Sequence, residues 1–188
     1  MKIIAGALGG RIFDNPKGNR THPMSDKARG ALFNMLGNIE GATVLDTFAG
    51  TGALSFEAIS RGASYATAID ADKRAFFTIQ TNIKKLGLEE YCKATRANVS
   101  SWSDKNQDKN FSIVIAAPPY DHLQPHIVKK LTKHMTPQGL FILDWPGKIE
   151  PLQLEGLTIT RQKKYGDAQI IIYRSDSSIA PSQANVTV

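Results

Sequence analysis

The chain has 188 residues, one cysteine and a formal net charge of +6, with 41% hydrophobic and 21% charged residues. That length suits one domain with a real core and at most a small extension, and the apolar and charged fractions are ordinary for a soluble protein. No apolar run approaches a membrane span, Met1-Lys2-Ile3-Ile4-Ala5-Gly6 lacks a signal-peptide layout, and the lone Cys92 excludes an internal disulfide, so a cytoplasmic protein without membrane contact is expected.

Residues 2–8 and 10–13 predict a hairpin turning at Gly9-Gly10, and residues 14–24 predict an exposed loop rich in turn formers. Ser25 or Asp26 is placed to cap a helix whose apolar face is Ala28, Ala31, Leu32, Met35 and Leu36, ended by Gly37 and Gly41. The pattern then alternates. Strand 43–47 leads to helix 52–61, which Gly62 ends; strand 65–69 leads to helix 73–86, with Gly87 as C-cap. A weak strand falls near 91–96, followed by strand 111–116, helix 123–134 and strand 139–144. Two last strands, 157–163 and 168–173, are joined by the short Lys164-Tyr165-Gly166-Asp167 link and so predict an antiparallel edge. Alternating strands and helices imply an α/β, Rossmann-like fold with a mostly parallel sheet. Residues 1–24 form the hairpin extension, 25–174 the main domain, and 175–188 a polar tail expected to be disordered.

In an open α/β sheet the ligand sits beyond the carboxyl ends of the strands. Three motifs fall there. The first is Asp46-Thr47-Phe48-Ala49-Gly50-Thr51-Gly52, where two glycines permit a sharp turn close to a ligand. The third glycine of a dinucleotide loop and the Gly-Lys-Ser/Thr ending of a phosphate loop are both missing. A cofactor with an amino-acid moiety and no phosphate fits better, with Asp46 reaching its ammonium directly or through water and Phe48, Gly50 and Gly52 lining the loop. A tight turn without a ligand would leave Asp46 a mostly buried charge with no evident partner. The second motif is Asp70, twenty residues after Gly50 and placed to accept hydrogen bonds from two ribose hydroxyls. Asn98, after the weak strand, is the adenine candidate; its plainer reading is a turn former.

The third motif is Ala117-Pro118-Pro119-Tyr120. Two prolines fix the backbone and donate no hydrogen bond, which frees the Pro118 carbonyl for a substrate amine. Tyr120 offers a ring on which an unstacked base can lie. A strand-ending turn with a half-buried tyrosine is the alternative for this segment taken alone. The first 34 residues carry Lys2, Arg11, Lys17, Arg20, Lys27 and Arg29 against Asp14 and Asp26. Such an arm either follows a phosphate backbone or is a solvated surface; Arg11, Arg20, Lys27 and Arg29 are the candidate nucleic-acid contacts. His122 and His126 flank Pro125 without a zinc-protease motif, and no metal is expected.

Together these segments resemble the RsmD-like family of bacterial methyltransferases that modify a guanine N2 amine of small-subunit ribosomal RNA. The resemblance runs from about Ile3 to Tyr173. Ile3-Ile4-Ala5-Gly6 with Gly10-Arg11 is similar to the family's opening hairpin. His22-Pro23-Met24-Ser25-Asp26-Lys27-Ala28-Arg29-Gly30-Ala31-Leu32-Phe33-Asn34 is similar to its Arg-Pro-Thr-x-Asp-x-x-Arg-x-x-Leu-Phe-Asn signature, and Asp46 to Leu54 to its cofactor loop. The resemblance implies S-adenosylmethionine as methyl donor and ribosomal RNA or the assembling small subunit as substrate; a monomer is expected. It also implies that the flipped guanine stacks on Tyr120. Ala117 stands where the family has Asp or Asn, Met24 and His22 where it has Thr and Arg, and Asn98 where it has an acid. Losing one preorganised hydrogen-bond partner costs about 10²–10³ in rate. A methyltransferase with another residue in that role, such as Asp121, and a weakened or inactive RNA-binding relative both fit that pattern.

Overall fold

A computed structural model describes residues 1–16 and 24–176. Arg20, His22 and Pro23, and residues 177–188 of the expected tail, lie outside the described residues. The chain lays down α1 (Asp26–Leu36), β1 (Thr43–Thr47), α2 (Ala53–Ser60), β2 (Tyr65–Asp70), α3 (Lys73–Leu86), β3 (Cys92–Arg96), α4 (Val99–Lys105), β4 (Phe111–Ala116), α5 (Pro125–Leu131), a 3₁₀ turn (Thr132–His134), β5 (Met135–Pro146), β6 (Leu157–Tyr165) and β7 (Ala168–Ser175). The strands form one sheet in the order β3-β2-β1-β4-β5-β7-β6. The first five pair in parallel; β7 runs antiparallel to both β5 and β6. The strand order reverses between β1 and β4, so the crevice of this sheet opens at the carboxyl ends of those two strands.

Alternation along the strands divides the core into two faces. Val44, Ile113, Ile115, Ile142, Ile170 and Ile172 face the cluster that includes α1, α2 and α3. Leu45, Val114, Phe141, Leu143, Ile171 and Tyr173 face the cluster that includes α4 and α5. Helix caps fall where the sequence placed them: the Ser25 hydroxyl accepts from the Ala28 amide, and Gly87 closes α3 in the left-handed region. Asp72, an apparent surface acid, is the N-cap of α3 and accepts from the amides of Arg74 and Ala75.

The amino-terminal hairpin is narrower than expected. Only Met1–Ile3 and Arg11–Phe13 pair, through Ile3 N–H to Arg11 O at 2.9 Å and Phe13 N–H to Met1 O at 3.0 Å. Residues 4–10 instead cover the outer side of α2, and Ile3 and Phe13 enter the main core at 1% exposure. The extension is therefore a lid on α2. That explains a helix buried nearly all round, with Glu57 and Ser60 inside. The Glu57 carboxylate accepts from the amides of Ile4 and Ala5, and the Ser60 hydroxyl accepts from Leu8 and donates to Ala5 O. Gly6 is needed here: it has φ +85°, and a Cβ would lie 1.8 Å from the Ser60 carbonyl oxygen. Helix 123–134 is shorter than expected because α5 gives way to the 3₁₀ turn after Leu131, and β5 starts four residues earlier than expected. Helix α4 was not expected from the sequence.

Candidate active site

Strand β1 delivers Asp46 to the crevice at 1% exposure. Its Oδ2 accepts from the Ser55 hydroxyl at 2.7 Å and from the Ser55 amide at 3.2 Å. Its Oδ1 is buried with no partner among the described residues. Burial pushes this carboxyl up to about 7; the two Ser55 hydrogen bonds pull against that, and the Asp70 charge adds to it. The loop that follows bends through left-handed conformations at Phe48 (φ 62°), Gly50 (φ 55°) and Gly52 (φ 78°). A positive φ in an aromatic residue is strain, and such strain collects at ligand clamps. At Gly52 a Cβ would stand 2.8 Å from the Phe56 ring.

Asp70, at the end of β2, braces this loop. Its Oδ2 accepts from the Gly50 amide at 2.7 Å and its Oδ1 from the Asp72 amide at 2.8 Å. Burial raises this carboxyl above the ordinary carboxylate range, while those backbone hydrogen bonds pull it down. Each oxygen keeps a second lone pair for a ribose hydroxyl. Asn98 stands at the amino end of α4, where its side-chain oxygen caps the helix by accepting from the Ser101 amide at 3.2 Å. That oxygen keeps its second lone pair for an adenine amine.

Across the crevice, Thr47 of β1 pairs with Ala116 of β4, so the glycine loop and the Ala117–Tyr120 corner leave adjacent strands. Pro118 is buried, and its carbonyl accepts no hydrogen bond among the described residues. Tyr120 is 42% exposed. Its phenol donates to Asp144 Oδ1 at 2.5 Å and lies 3.3 Å from the Trp145 carbonyl oxygen. Burial, and then the neighbouring Asp144 charge, push the Tyr120 phenol well up. Burial holds the Asp144 carboxyl at about 6, against the opposing pull of the phenol.

The basic candidates separate. Arg29 is a correction: it is fully buried, donating to Lys2 O at 2.7 Å and to Asp26 at 2.8 Å, with Glu57 3.8 Å away. It anchors the hairpin and cannot meet RNA. Arg11 is also misplaced for a contact near the site. Its guanidinium lies 3.4 Å from the Leu86 carbonyl, at the carboxyl end of α3, and a helix crossing between parallel strands ends at the edge opposite the crevice. Arg20 lies outside the described residues. Lys27, near the amino end of α1, stays exposed and lines a cleft with Ser25, Lys163, Lys164, Tyr165 and Gly166. Lys163 and Lys164 were not singled out from the sequence. No group of three metal-ligating side chains occurs among the described residues, and no helix there is long and apolar enough to cross a membrane.

This strand order, with a braced glycine loop after β1 and a Pro-Pro-Tyr corner after β4, defines a Rossmann-like methyltransferase fold. The yhhF protein of Escherichia coli shares it: its solved structure superposes with a TM-score of 0.83 at 27% identity, covering 94% of this chain and 98% of that one. A family profile described as Conserved hypothetical protein 95 matches residues 1–174, and the chain belongs to that family, the RsmD family. Among its relatives, the ribosomal RNA small subunit methyltransferase D of Haemophilus influenzae is 27% identical over 182 residues, covering 93% of this chain and 94% of that one. The Buchnera aphidicola protein of the same name (strain APS) is 35% identical over 119 residues, covering 63% and 62%.

Proposed function

We propose that this protein transfers a methyl group from S-adenosylmethionine to the exocyclic N2 amine of a guanine in small-subunit ribosomal RNA. The observation that carries the reading is the pairing of β1 with β4, which sets the cofactor loop beside a rigid amine-accepting corner. The residues present fit the cofactor. The unpartnered Oδ1 of Asp46 is a buried acceptor awaiting a cation, and the cofactor's ammonium meets that need. Gly50 and Gly52 would admit its amino-acid part, and Asp70 would take the ribose hydroxyls. Bound there, the cofactor would supply a methyl group on a positively charged sulfur, open to displacement by an amine nitrogen, with the C–S electron pair left on sulfur and a proton released to water.

The chain's own residues bind and orient. The Pro118 carbonyl takes one N–H of the amine. The Tyr120 ring carries the extruded base, and its phenol is tied down by Asp144. Rate then comes from holding the amine in line and from fixed dipoles around it. The RNA backbone approaches over Lys27, Lys163 and Lys164. Asp144 and Lys163 both pair with Ile170, so they stand on one sheet face, two strand spacings or about 10 Å apart.

The test is methyl transfer from labelled S-adenosylmethionine to small ribosomal subunits lacking this modification, with cofactor binding by calorimetry on the same preparation. Label on one guanine N2 supports the proposal. Cofactor binding without transfer to any guanine sinks it and favours an RNA-binding relative with a disabled corner, the reading to which Ala117 points.

A further inference from the structure

We infer that Asp144 is a substrate-positioning carboxylate: Oδ1 anchors the Tyr120 phenol while Oδ2 accepts the second N–H of the substrate amine. The inference rests on the amine-methylation reading above. An exocyclic amine has two N–H groups, and its lone pair is aimed only when both are held. The Pro118 carbonyl holds one. Ala117, next in the chain, has a methyl side chain and holds none.

The sheet supplies the missing acceptor from a different strand. Ala116 pairs with Leu143 in parallel register, which sets Ala117 beside Asp144, one residue further along each strand. Side chains alternate, so Asp144 projects to the same face as Ile142, and Ala117 to the same face as Ile115. Adjacent strands lie about 4.8 Å apart, close enough for a carboxylate on one to serve the space beside the other. Asp144 is half-buried, and Oδ1 is committed to Tyr120 at 2.5 Å. Oδ2 carries no hydrogen bond among the described residues and is not one of the chain's buried, unpartnered atoms, so it opens to solvent. A carboxylate with one oxygen fixed and the other free, beside the corner where the base is expected to lie, is preorganised to accept. Asp121, the neighbour on the corner itself, is exposed, and its carboxylate accepts no hydrogen bond among the described residues that would fix it.

The same bond couples base stacking to amine orientation. The phenol that steadies the ring is held by the group that holds the amine, so the two geometries are set together.

The experiment compares single-turnover transfer to small subunits lacking guanine-N2 methylation for the wild type, Ala117→Asp, Asp144→Ala, Asp144→Asn, Tyr120→Phe and the double variant Ala117→Asp/Asp144→Ala. Cofactor affinity by calorimetry reports on folding. Asp144→Ala is expected to lose about 10²–10³ in rate with cofactor affinity kept. Asp144→Asn keeps an acceptor oxygen and is expected to lose about tenfold. Ala117→Asp returns a carboxylate from the neighbouring strand and is expected to restore at least tenfold to Asp144→Ala. A larger gain from Ala117→Asp in the Asp144→Ala background than in the wild type is a result that a purely structural role does not produce. If Tyr120→Phe reproduces the whole loss and Ala117→Asp rescues nothing, Asp144 acts only through the phenol and the inference is overturned. If Asp144→Ala transfers at the wild-type rate, it is overturned outright while amine methylation stands. If the wild type methylates no guanine amine, the underlying reading fails and this inference falls with it.

Discussion

At the scale of single residues, Asp46 is a carboxyl whose charge burial disfavours. Its carboxyl moves from 3.8 up to about 7 through burial. A carboxyl raised on folding binds its proton more tightly folded than unfolded, so stability falls as pH climbs from about 4 to 7 and stays lowered above that. Asp46→Asn removes the charge but keeps an acceptor for Ser55. Thermal unfolding of the ligand-free variant at pH 8 is expected to show a gain of about 1–3 kcal/mol that vanishes near pH 4. Calorimetry on the same variant is expected to show at least a tenfold loss of S-adenosylmethionine affinity, and in the wild type that affinity is expected to drop as pH falls from 8 to 6. A variant less stable than wild type at pH 8 would mean that the charge already has a compensating partner, and the ammonium assignment would fail. Asp46 and Asp70 were legible in the sequence because an acid closing an apolar strand is hard to explain without a task. Asp144 closes Phe141-Ile142-Leu143 in the same way, and that signal could have found it. What the sequence did not show was which strand β5 lies beside, or that Tyr120 turns back to reach it.

At the scale of elements, helix α2 shows where local pattern and tertiary role part. The sequence predicts a helix there, but not that seven of its eight residues are buried because residues 4–10 lie over it. The signal that Arg29 belongs to that lid is invisible from the sequence, since a basic residue in a basic segment looks solvated until Glu57 is placed beneath it. Helix α4 was missed for another reason. Val99-Ser100-Ser101-Trp102-Ser103-Asp104-Lys105 is too short for a period to show, and it exists because Asn98 caps it and Trp102 packs on Phe111 and His134. Glu57 is the joint of the lid, accepting from two backbone amides and from Arg61 at 2.7 Å and sitting against the buried Arg29. Glu57→Ala leaves Arg29 without its deeper partner, and breaking a buried pair by removing one member costs about 3–5 kcal/mol. Urea unfolding is expected to show that loss. Hydrogen exchange is expected to show the amides of Ile4 and Ala5 losing protection ahead of the sheet. Unchanged exchange there would mean that Ile3 and Phe13 hold the hairpin by burial alone.

At the scale of the whole molecule, three lysines from distant parts of the chain meet in one cleft. Helix α1 begins, and β6 ends, at the carboxyl edge of the sheet, so Lys27, Lys163 and Lys164 gather on the side of the crevice while Arg11 sits at the opposite edge. A patch spread evenly would serve only solubility; one gathered beside an aromatic corner can deliver a backbone to it. Each phosphate neutralised on single-stranded RNA contributes about −0.7 to the slope of log affinity against log salt. The triple variant Lys27→Gln/Lys163→Gln/Lys164→Gln is therefore expected to flatten that slope by about 2 and to weaken binding of a small-subunit RNA fragment at physiological salt. Its S-adenosylmethionine affinity is expected to be unchanged, because none of the three lysines touches the glycine loop. Arg11→Gln carries the contrast: removing a positive charge from the far edge is expected to leave the slope within about 0.3 of wild type. Filter binding across a salt series reads both variants. Equal slopes for the triple variant and Arg11→Gln would place the RNA on neither edge in particular and reduce the net +6 to a solvating charge. A slope moved by the triple variant alone makes the cleft at α1 and β6 the path by which RNA reaches Tyr120.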